Sequence, residues 1–331
     1  MSILITGGAG YIGSHTVDYF KAQGKEVIVF DNIRTGHKES IPGVTFIEGD
    51  LLNKGLLDQV FQDHSIDAVV HFAAKSLVGE SVTDPLSYYE NNVTGTQQLI
   101  QAMVKNDVKK LVFSSTAATY GNPTEVPIKE SLPTNPTNPY GETKLAIEKM
   151  LAWCDDAYGL KSVSLRYFNA AGASPTGKIG EDHAIETHLI PLVLQVALGQ
   201  REHISIFGDD YPTEDGTCIR DYIHVSDLAS AHFQALKYLD NGGKTDVFNL
   251  GNGQGFSVKQ VIDTCRQVTQ HAIPAKTAPR RAGDPAVLIA SSKKAQEVLG
   301  WVPASPELST IVADAWAWHQ SHENGYATQE K

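Results

Sequence analysis

Tyr140 and Lys144, four residues apart, are the side chains whose types and spacing most directly suggest chemistry. They follow a proline-rich loop and Asn138-Pro139, where Asn138 suits a helix cap and Pro139 the first helical position. Residues at this spacing share one helix face, one turn apart. An ammonium near a phenol favours the phenolate, so the pair predicts a tyrosine base working well below its free pKa. Such pairs also arise by chance, and this one gains weight from position. It comes after the strand-like run Lys110 to Thr116, which ends in hydroxyls at Ser115-Thr116.

The start of the chain carries a second chemical signal. Ile3-Leu4-Ile5-Thr6 stops at Gly7-Gly8-Ala9-Gly10-Tyr11-Ile12-Gly13, and Ile12, Val17, Tyr19 and Phe20 then follow at helix-like spacing. A strand, a tight turn and a helix N-terminus leave backbone N–H groups aimed at an anion, where the helix dipole favours negative charge. Gly7 and Gly10 let the backbone turn and approach a pyrophosphate, and Gly13 lets the helix lie close on the sheet. The spacing is G-x-x-G-x-x-G, not the usual dinucleotide fingerprint. In a chain with 28 glycines an ordinary glycine-rich turn is the competing reading.

The elements that must position these groups alternate. Val27 to Phe30 reads as a second buried strand closing on Asp31-Asn32. A carboxylate there can accept both hydroxyls of an adenosine ribose and repels a 2′-phosphate, which favours NAD over NADP although Arg34 is near. A turn or helix cap is the plainer role for Asp31. Val44 to Asp50 is a third strand, and Asp50-Leu51 is placed to hold an adenine amine, with an exposed loop acid as the alternative. Ala68 to Ala74 is a fourth, running into small residues at Ala73, and Lys110 to Thr116 is the fifth. Helical patterns at Leu56 to Phe61 and Val93 to Val104 separate them. This alternation predicts an α/β fold with a parallel sheet covered on both faces. Ligands then bind at the carboxyl ends of the strands. Gly7, Asp31, Asp50, Ala73 and Thr116 all fall at such ends.

The 331 residues suffice for two domain-sized units, or one large unit with a lobe. A formal net charge of -11 argues against a nucleic-acid surface as the main partner. Cys154, Cys218 and Cys265 are odd in number with no C-x-x-C, which predicts buried reduced thiols and a cytoplasmic protein. No charged leader precedes the first strand. The longest apolar stretch, Leu189 to Leu198, contains Pro191 and Gln195 and is too short to span a bilayer. No metal site is expected: His71, His188 and His224 have no ligand spacing and read as packing or polar contacts.

Together T-G-G-x-G-Y-I-G, the strand-end hydroxyl and Y-x-x-x-K resemble the extended short-chain dehydrogenase/reductase group. Further segments narrow the resemblance to the UDP-glucose 4-epimerases. They are Phe72-Ala73-Ala74 with Val78-Gly79-Glu80-Ser81, then Tyr88-Tyr89-Glu90-Asn91-Asn92-Val93, Arg166-Tyr167-Phe168-Asn169, Phe207 to Thr217, Arg220-Asp221-Tyr222-Ile223-His224-Val225 and Arg280-Arg281-Ala282-Gly283-Asp284. They span nearly the whole chain in order, and the block from Phe207 to Val225 is the most specific.

The resemblance implies a Rossmann-type doubly wound sheet in residues 1–171 and a smaller substrate-binding lobe in 172–331. Strands and helices from about 220–250 are expected to return to the first unit, Tyr222 to Val225 and Val247 to Leu250 among them. It implies a homodimer that interconverts UDP-glucose and UDP-galactose. Tyr140 takes the proton of the sugar 4-hydroxyl while hydride passes from C4 to NAD and then returns on the other face. Thr116 would hydrogen-bond the 4-oxygen and Lys144 would hold the nicotinamide ribose. Tyr11, Ile12, Asn32, Leu51, Phe72, Ala74, Asn91 and Phe168 join the implied NAD contacts. On the sugar nucleotide, Asn169 and His188 would lie near the phosphates, and Arg220 and Arg281 would pair with the diphosphate. Phe207 would lie beside the uracil, Asp284 at the uridine ribose, and Leu189, Tyr222 and Leu288 complete the set.

Plainer readings are a salt bridge from Arg220 to Asp221 and a solvated basic pair at Arg280-Arg281. The chain departs from the pattern at Ser76, where some members carry lysine, and at His188, often Asn. Leu288 is intermediate between a blocking Tyr and a small residue, which leaves UDP-N-acetylglucosamine open as a further substrate. A 4,6-dehydratase on the same fold would need acids after Thr116, where Ala117-Ala118-Thr119 stands. A non-catalytic NAD(H)-binding regulator would need Gly7, Gly10, Gly13 and Asp31 but not Tyr140 and Lys144.

Overall fold

The computed structural model describes residues 2–281 and 284–326, so Ala282 and Gly283 of the arginine motif and positions 327–331 of the expected lobe lie outside the described residues. The first part runs β1 (Ser2–Thr6), α1 (Tyr11–Ala22), β2 (Glu26–Asp31), β3 (Thr45–Glu48), α2 (Lys54–Asp63), β4 (Ala68–His71), α3 (Val78–Thr83) and α4 (Pro85–Tyr88). It continues through α5 (Gly95–Lys105), β5 (Lys110–Ser114), α6 (Pro139–Tyr158) and β6 (Lys161–Tyr167). Then come β7 (Asn169–Ala171), α7 (Leu189–Ala197), β8 (Ile204–Phe207), β9 (Ile219–Arg220), β10 (Tyr222–His224), α8 (Val225–Asp240) and β11 (Asp246–Leu250). The chain closes with β12 (Phe256–Ser257), α9 (Val258–Thr269), β13 (Ala275–Ala278), β14 (Val287–Leu288) and α10 (Leu308–Ser321).

Among the described residues the largest sheet has seven strands in the order β11-β6-β5-β4-β1-β2-β3, parallel at every pairing. The order reverses between β1 and β4, which opens a crevice beyond their carboxyl ends. The strands read as apolar runs because both faces are covered. Ile3 and Ile5 pack with Val17 and Phe20 of α1 and Leu228 of α8. Leu4, between them, points to the other face with Leu57, Leu99 and Met103. The doubly wound α/β sheet expected from the alternation is therefore the fold of this chain.

A third cluster forms the core of a smaller lobe. It joins Ile190 and Val193 of α7, Ile204 and Ile206 of β8, Val261 and Ile262 of α9, and Ile311, Val312 and Trp316 of α10. At its border β11 takes the sheet edge beside β6, while β10 pairs with β7 in a separate two-stranded sheet and puts Ile223 into the core of the large sheet. The chain bends at Phe168 so that β7 leaves the main sheet, and Asn169 donates from both its backbone N–H and its side-chain amide to the Asp221 carbonyl at 3.1 Å. That bend gives β10 a partner of its own. Among the described residues no helix is long and apolar enough to cross a membrane.

Candidate active site

The glycine turn is fixed from below. Gly7 sits at φ +72°, and a Cβ there would lie 2.4 Å from the Ala73 nitrogen. A Cβ on Gly13 would lie 2.2 Å from the Gly7 carbonyl oxygen. Neither position tolerates a side chain. Gly10 differs: its backbone is extended, and a Cβ would meet only the Gly7 oxygen at 3.4 Å. Its missing side chain serves an approach from outside. The N-terminus of α1 has no side-chain cap and no acid in its first turn. Its free N–H groups and dipole therefore suit an anion.

The two acids flank this turn. Asp31 is buried, and its carboxylate accepts from Ala9 N at 3.0 Å and Ile33 N at 2.9 Å. Burial pushes its pKa up against those N–H groups. Asp31 thus braces the turn, the plainer of its two expected roles, and keeps lone pairs for further donors. Asp50 accepts from Leu52 N at 3.0 Å and from the Asn32 amide at 2.9 Å, and Arg34 lies 3.3 Å away. Burial raises the Asp50 pKa, but these partners outweigh it and hold the group below the usual range. Arg34 is therefore committed to Asp50 rather than free for a 2′-phosphate. Around them Ile12 packs on the core under the turn, Leu51 is buried beside Gly95, and the Phe72 ring lies 4.5 Å from His232. Ala73 N bonds the Thr6 carbonyl at 3.1 Å, and Ala74 follows it out of β4. A crevice that a Cβ would fill, an uncapped helix and an acid with spare lone pairs fit a dinucleotide with unmodified ribose.

Asn138 caps α6, accepting from Gly141 N at 2.9 Å, with Pro139 at the first position. The cap starts α6 at the end of β5, where the Tyr140 phenol comes near the Thr116 side chain. Thr116 Oγ1 also accepts from Ala118 N at 3.1 Å. Lys144 Nζ donates to the Ser114 carbonyl at 2.7 Å and stands 6.0 Å from the Tyr140 ring centroid. Burial pushes the Tyr140 pKa up, opposed by the nearby Thr116 side chain, while the Lys144 ammonium is turned to the Ser114 carbonyl. Burial also pushes Lys144 down to about 7, against the opposing attraction of Glu148.

Glu148 is a member of this face that sequence reasoning missed. It accepts from Ser115 Oγ at 2.5 Å and from Arg166 Nε at 2.9 Å, all buried. Arg166 in turn lies 4.8 Å over the Tyr120 ring. The signal was available, since Tyr140, Lys144 and Glu148 rise along one helix face at equal spacing. Asn92 was missed as well. Fully buried in a π-type turn before α5, it accepts from Lys75 N at 2.8 Å and donates to Thr143 Oγ1 at 3.1 Å. It ties the loop after β4 to the start of α6, while Asn91 only donates to Asn92. The Lys75 ammonium is committed to Glu80 and Ser87.

The opposite wall comes from the smaller lobe. Arg220 Nη1 donates to the Ile219 and Pro285 carbonyls at 2.9 Å, and Nη2 lies 3.7 Å from Asp284. Its carboxylate neighbour is therefore Asp284 and not Asp221, which is buried and accepts from Asn252, Gly253 and Ala290 N–H groups. Arg281 pairs with Asp284 at 2.9 Å and lies 5.1 Å over the Phe207 ring. Arg280 is no solvated partner of Arg281, since it pairs with Asp210 at 2.6 Å and stacks on Tyr211. Leu288 is in register with Arg220 across β14 and β9, and Tyr222 is buried in the next strand. Leu189 opens α7 directly after His188.

Three histidines separate. His71 bonds Thr6 and Thr96 side chains at 2.6 and 2.8 Å, and His224 bonds Asp314 at 3.1 Å, both ordinary polar contacts. His188 does not stand apart as expected: it gathers with Glu181, His183 and Glu186. The spacing E-x-H-x-x-E-x-H carries this signal only when the histidines are taken with their neighbouring acids.

Residues 3–251 match the family model for the NAD dependent epimerase/dehydratase family. The chain is 65% identical over 331 residues to the UDP-glucose 4-epimerase of Halalkalibacterium halodurans, covering 100% of this chain and 99% of that protein. A crystal structure of a UDP-glucose 4-epimerase superposes with a TM-score of 0.98 at 60% identity, covering 99% of this chain and 100% of the other. The Brucella ovis UDP-glucose 4-epimerase in complex with NAD superposes with a TM-score of 0.93 at 46% identity, covering 95% and 97%.

Proposed function

The chain belongs to the NAD-dependent epimerase/dehydratase family, within it to the UDP-glucose 4-epimerases, and we propose that Tyr140, Thr116 and Lys144 carry its chemistry. The enzyme is an isomerase that interconverts UDP-glucose and UDP-galactose with NAD as cofactor. When bound, NAD+ supplies a two-electron acceptor for sugar C4 and a positive charge in the crevice. Tyr140 removes the proton of the 4-hydroxyl, and Thr116 donates to the oxygen as the carbonyl forms. The 4-keto sugar turns, is reduced on its other face, and recovers its proton from Tyr140. Lys144 holds the cofactor ribose and, released from Ser114, lowers the phenol. The meeting of α6 with the end of β5, where Lys144 Nζ bonds the Ser114 carbonyl at 2.7 Å and stands 6.0 Å from the Tyr140 ring centroid, is the observation that carries this assignment.

Gly7, Gly10, Gly13 and the α1 N-terminus hold the pyrophosphate, Asp31 the adenosine ribose, and Asp50 with Leu51 the adenine. Arg220 and Arg281 take the UDP diphosphate, Asp284 its ribose and Phe207 its base. Incubation with UDP-galactose and no added NAD tests the reading. UDP-glucose should accumulate to equilibrium, and absence of conversion by protein that retains NAD would refute it.

We also place the enzyme in the cytoplasm, in keeping with three free buried cysteines, and as a homodimer. Val82 on α3, Leu86 on α4, Tyr89 beyond it and Trp153 on α6 are exposed large apolar residues. α3 and α4 both pack on α6, and these helices carry three of the side chains. Trp153→Glu should turn a sedimenting dimer into a monomer.

A further inference from the structure

We infer that Glu181, His183, Glu186 and His188 form a binding site for a divalent cation, Zn2+ foremost, in the loop between β7 and α7. One ligand atom from each of the four lies within 4.8 Å of all the others. His183 Nδ1 stands 3.4 Å from Glu181 Oε1 and 3.3 Å from Glu186 Oε2, and His188 Nδ1 stands 3.3 Å from Glu186 Oε1. Metal bonds of about 2.0–2.2 Å at tetrahedral angles place neighbouring ligand atoms roughly 3.3–3.5 Å apart. These three separations match, with His183 and His188 facing different Glu186 oxygens, and the His188–Glu181 approach, 2.6 Å, is shorter.

Glu181 supplies an independent observation. It is 4% exposed, and its Oε1 has no hydrogen-bond partner although imidazole nitrogens lie 2.6 and 3.4 Å away. Those nitrogens are near enough but not aligned to donate to it, and within the cluster His183 Nδ1 bonds Glu186 Oε2 at 3.3 Å instead. The other Glu186 oxygen, Oε1, accepts from Thr187 and His188 N–H groups at 2.7 Å, which fixes the carboxylate beside both rings.

The charges balance as well. Two carboxylates and two neutral imidazoles neutralise a dication. Imidazole with carboxylate, and no thiolate, suits Zn2+ better than Mg2+ or Ca2+, which take mainly oxygen. Four protein ligands leave no open position, so the role is structural. The loop it fastens has no regular structure and lies against the glycine turn. Tyr11 sets its ring edge-on to His183, at 6.4 Å, and its hydroxyl donates to the Gly172 carbonyl at 2.6 Å. A cation here would pin the start of the smaller lobe to the dinucleotide corner. This inference does not rest on the epimerase assignment.

The test uses the full chain without a polyhistidine tag, purified without chelator. Elemental analysis should find one equivalent of Zn2+ per chain. Chelator-treated protein should take Zn2+ back with a rise in melting temperature, and Co2+ should give the intense visible absorption of a four-coordinate site. His183→Gln and Glu186→Gln should each weaken Zn2+ binding by roughly a hundredfold and lose the thermal response. Wild-type protein that takes up no Zn2+ and shows no thermal response would overturn the site, even if both variants misfold. Equal Zn2+ binding by folded variants would overturn it too, and would leave a His–Glu ion-pair cluster.

Discussion

Gly7, Gly13 and Asp31 on one side of the crevice are held by backbone atoms, whereas Arg281, Asp284 and Phe207 on the other are side chains paired with one another. On the dinucleotide side a single added Cβ would collide with main chain at 2.2–2.4 Å. On the sugar-nucleotide side Arg281 is 60% exposed and rests on a carboxylate and a ring that a ligand must displace or share. On the proposed assignment, the difference follows from what each wall would bind. A cofactor that stays through every cycle suits a rigid, preformed cradle. A substrate that must enter, turn and leave suits groups whose mutual pairing offsets part of its binding energy. Tyr140 stands where the walls meet, held by an α6 cap from the first and open to the second.

The largest test of this contrast is Tyr140→Phe. It should lower kcat by about 10²–10⁴-fold while the purified protein keeps its NAD, measured by coupled assay and by release of nucleotide on denaturation. A nearly unchanged rate would remove Tyr140 as the base.

Lys144 gives a pH-dependent test. Burial lowers its pKa from the usual 10.5 to about 7 in the fold. Between those values the unfolded chain holds a proton that the folded chain has lost. The stability contributed by this group therefore rises with pH across that window and is constant outside it. Relative to Lys144→Met, NAD-stripped wild-type protein should gain on the order of a few kcal/mol between pH 7 and about pH 10. Urea midpoints at the two pH values measure it.

Gly13→Ala should cost about 1–3 kcal/mol of stability and deplete bound NAD, with the KM for UDP-galactose unchanged in the fraction that retains cofactor. Arg281→Ala should do the reverse, raising KM roughly tenfold and leaving NAD content and unfolding almost untouched, because its exposed pair with Asp284 is worth under about 1 kcal/mol. If both variants changed cofactor content and KM alike, the two walls would not be separate devices.

The same contrast explains what could be read from the amino-acid order. The glycine turn, Asp31, Asp50 and Thr116 were legible because strand periodicity puts them at carboxyl ends, and a parallel sheet gathers those ends. Tyr140 and Lys144 were legible because helix periodicity is local. Glu148 obeyed that rule and was still passed over, since its partner Arg166 comes from a distant strand. The separate β7–β10 pair was not legible because it depends on a bend at Phe168, and the Glu181 to His188 cluster because it folds in a loop with no period. The raised phenol of Tyr140 was beyond reach for a different reason. Spacing puts an ammonium one turn away, but only coordinates show it bound to Ser114.

The central claim is that hydrogen leaves sugar C4 and returns to that carbon without leaving the enzyme. UDP-galactose carrying deuterium at C4, incubated with the purified protein and no added NAD, tests it most directly. UDP-glucose that keeps the label at C4 is the predicted result. UDP-glucose that has exchanged its C4 label with solvent hydrogen would contradict it.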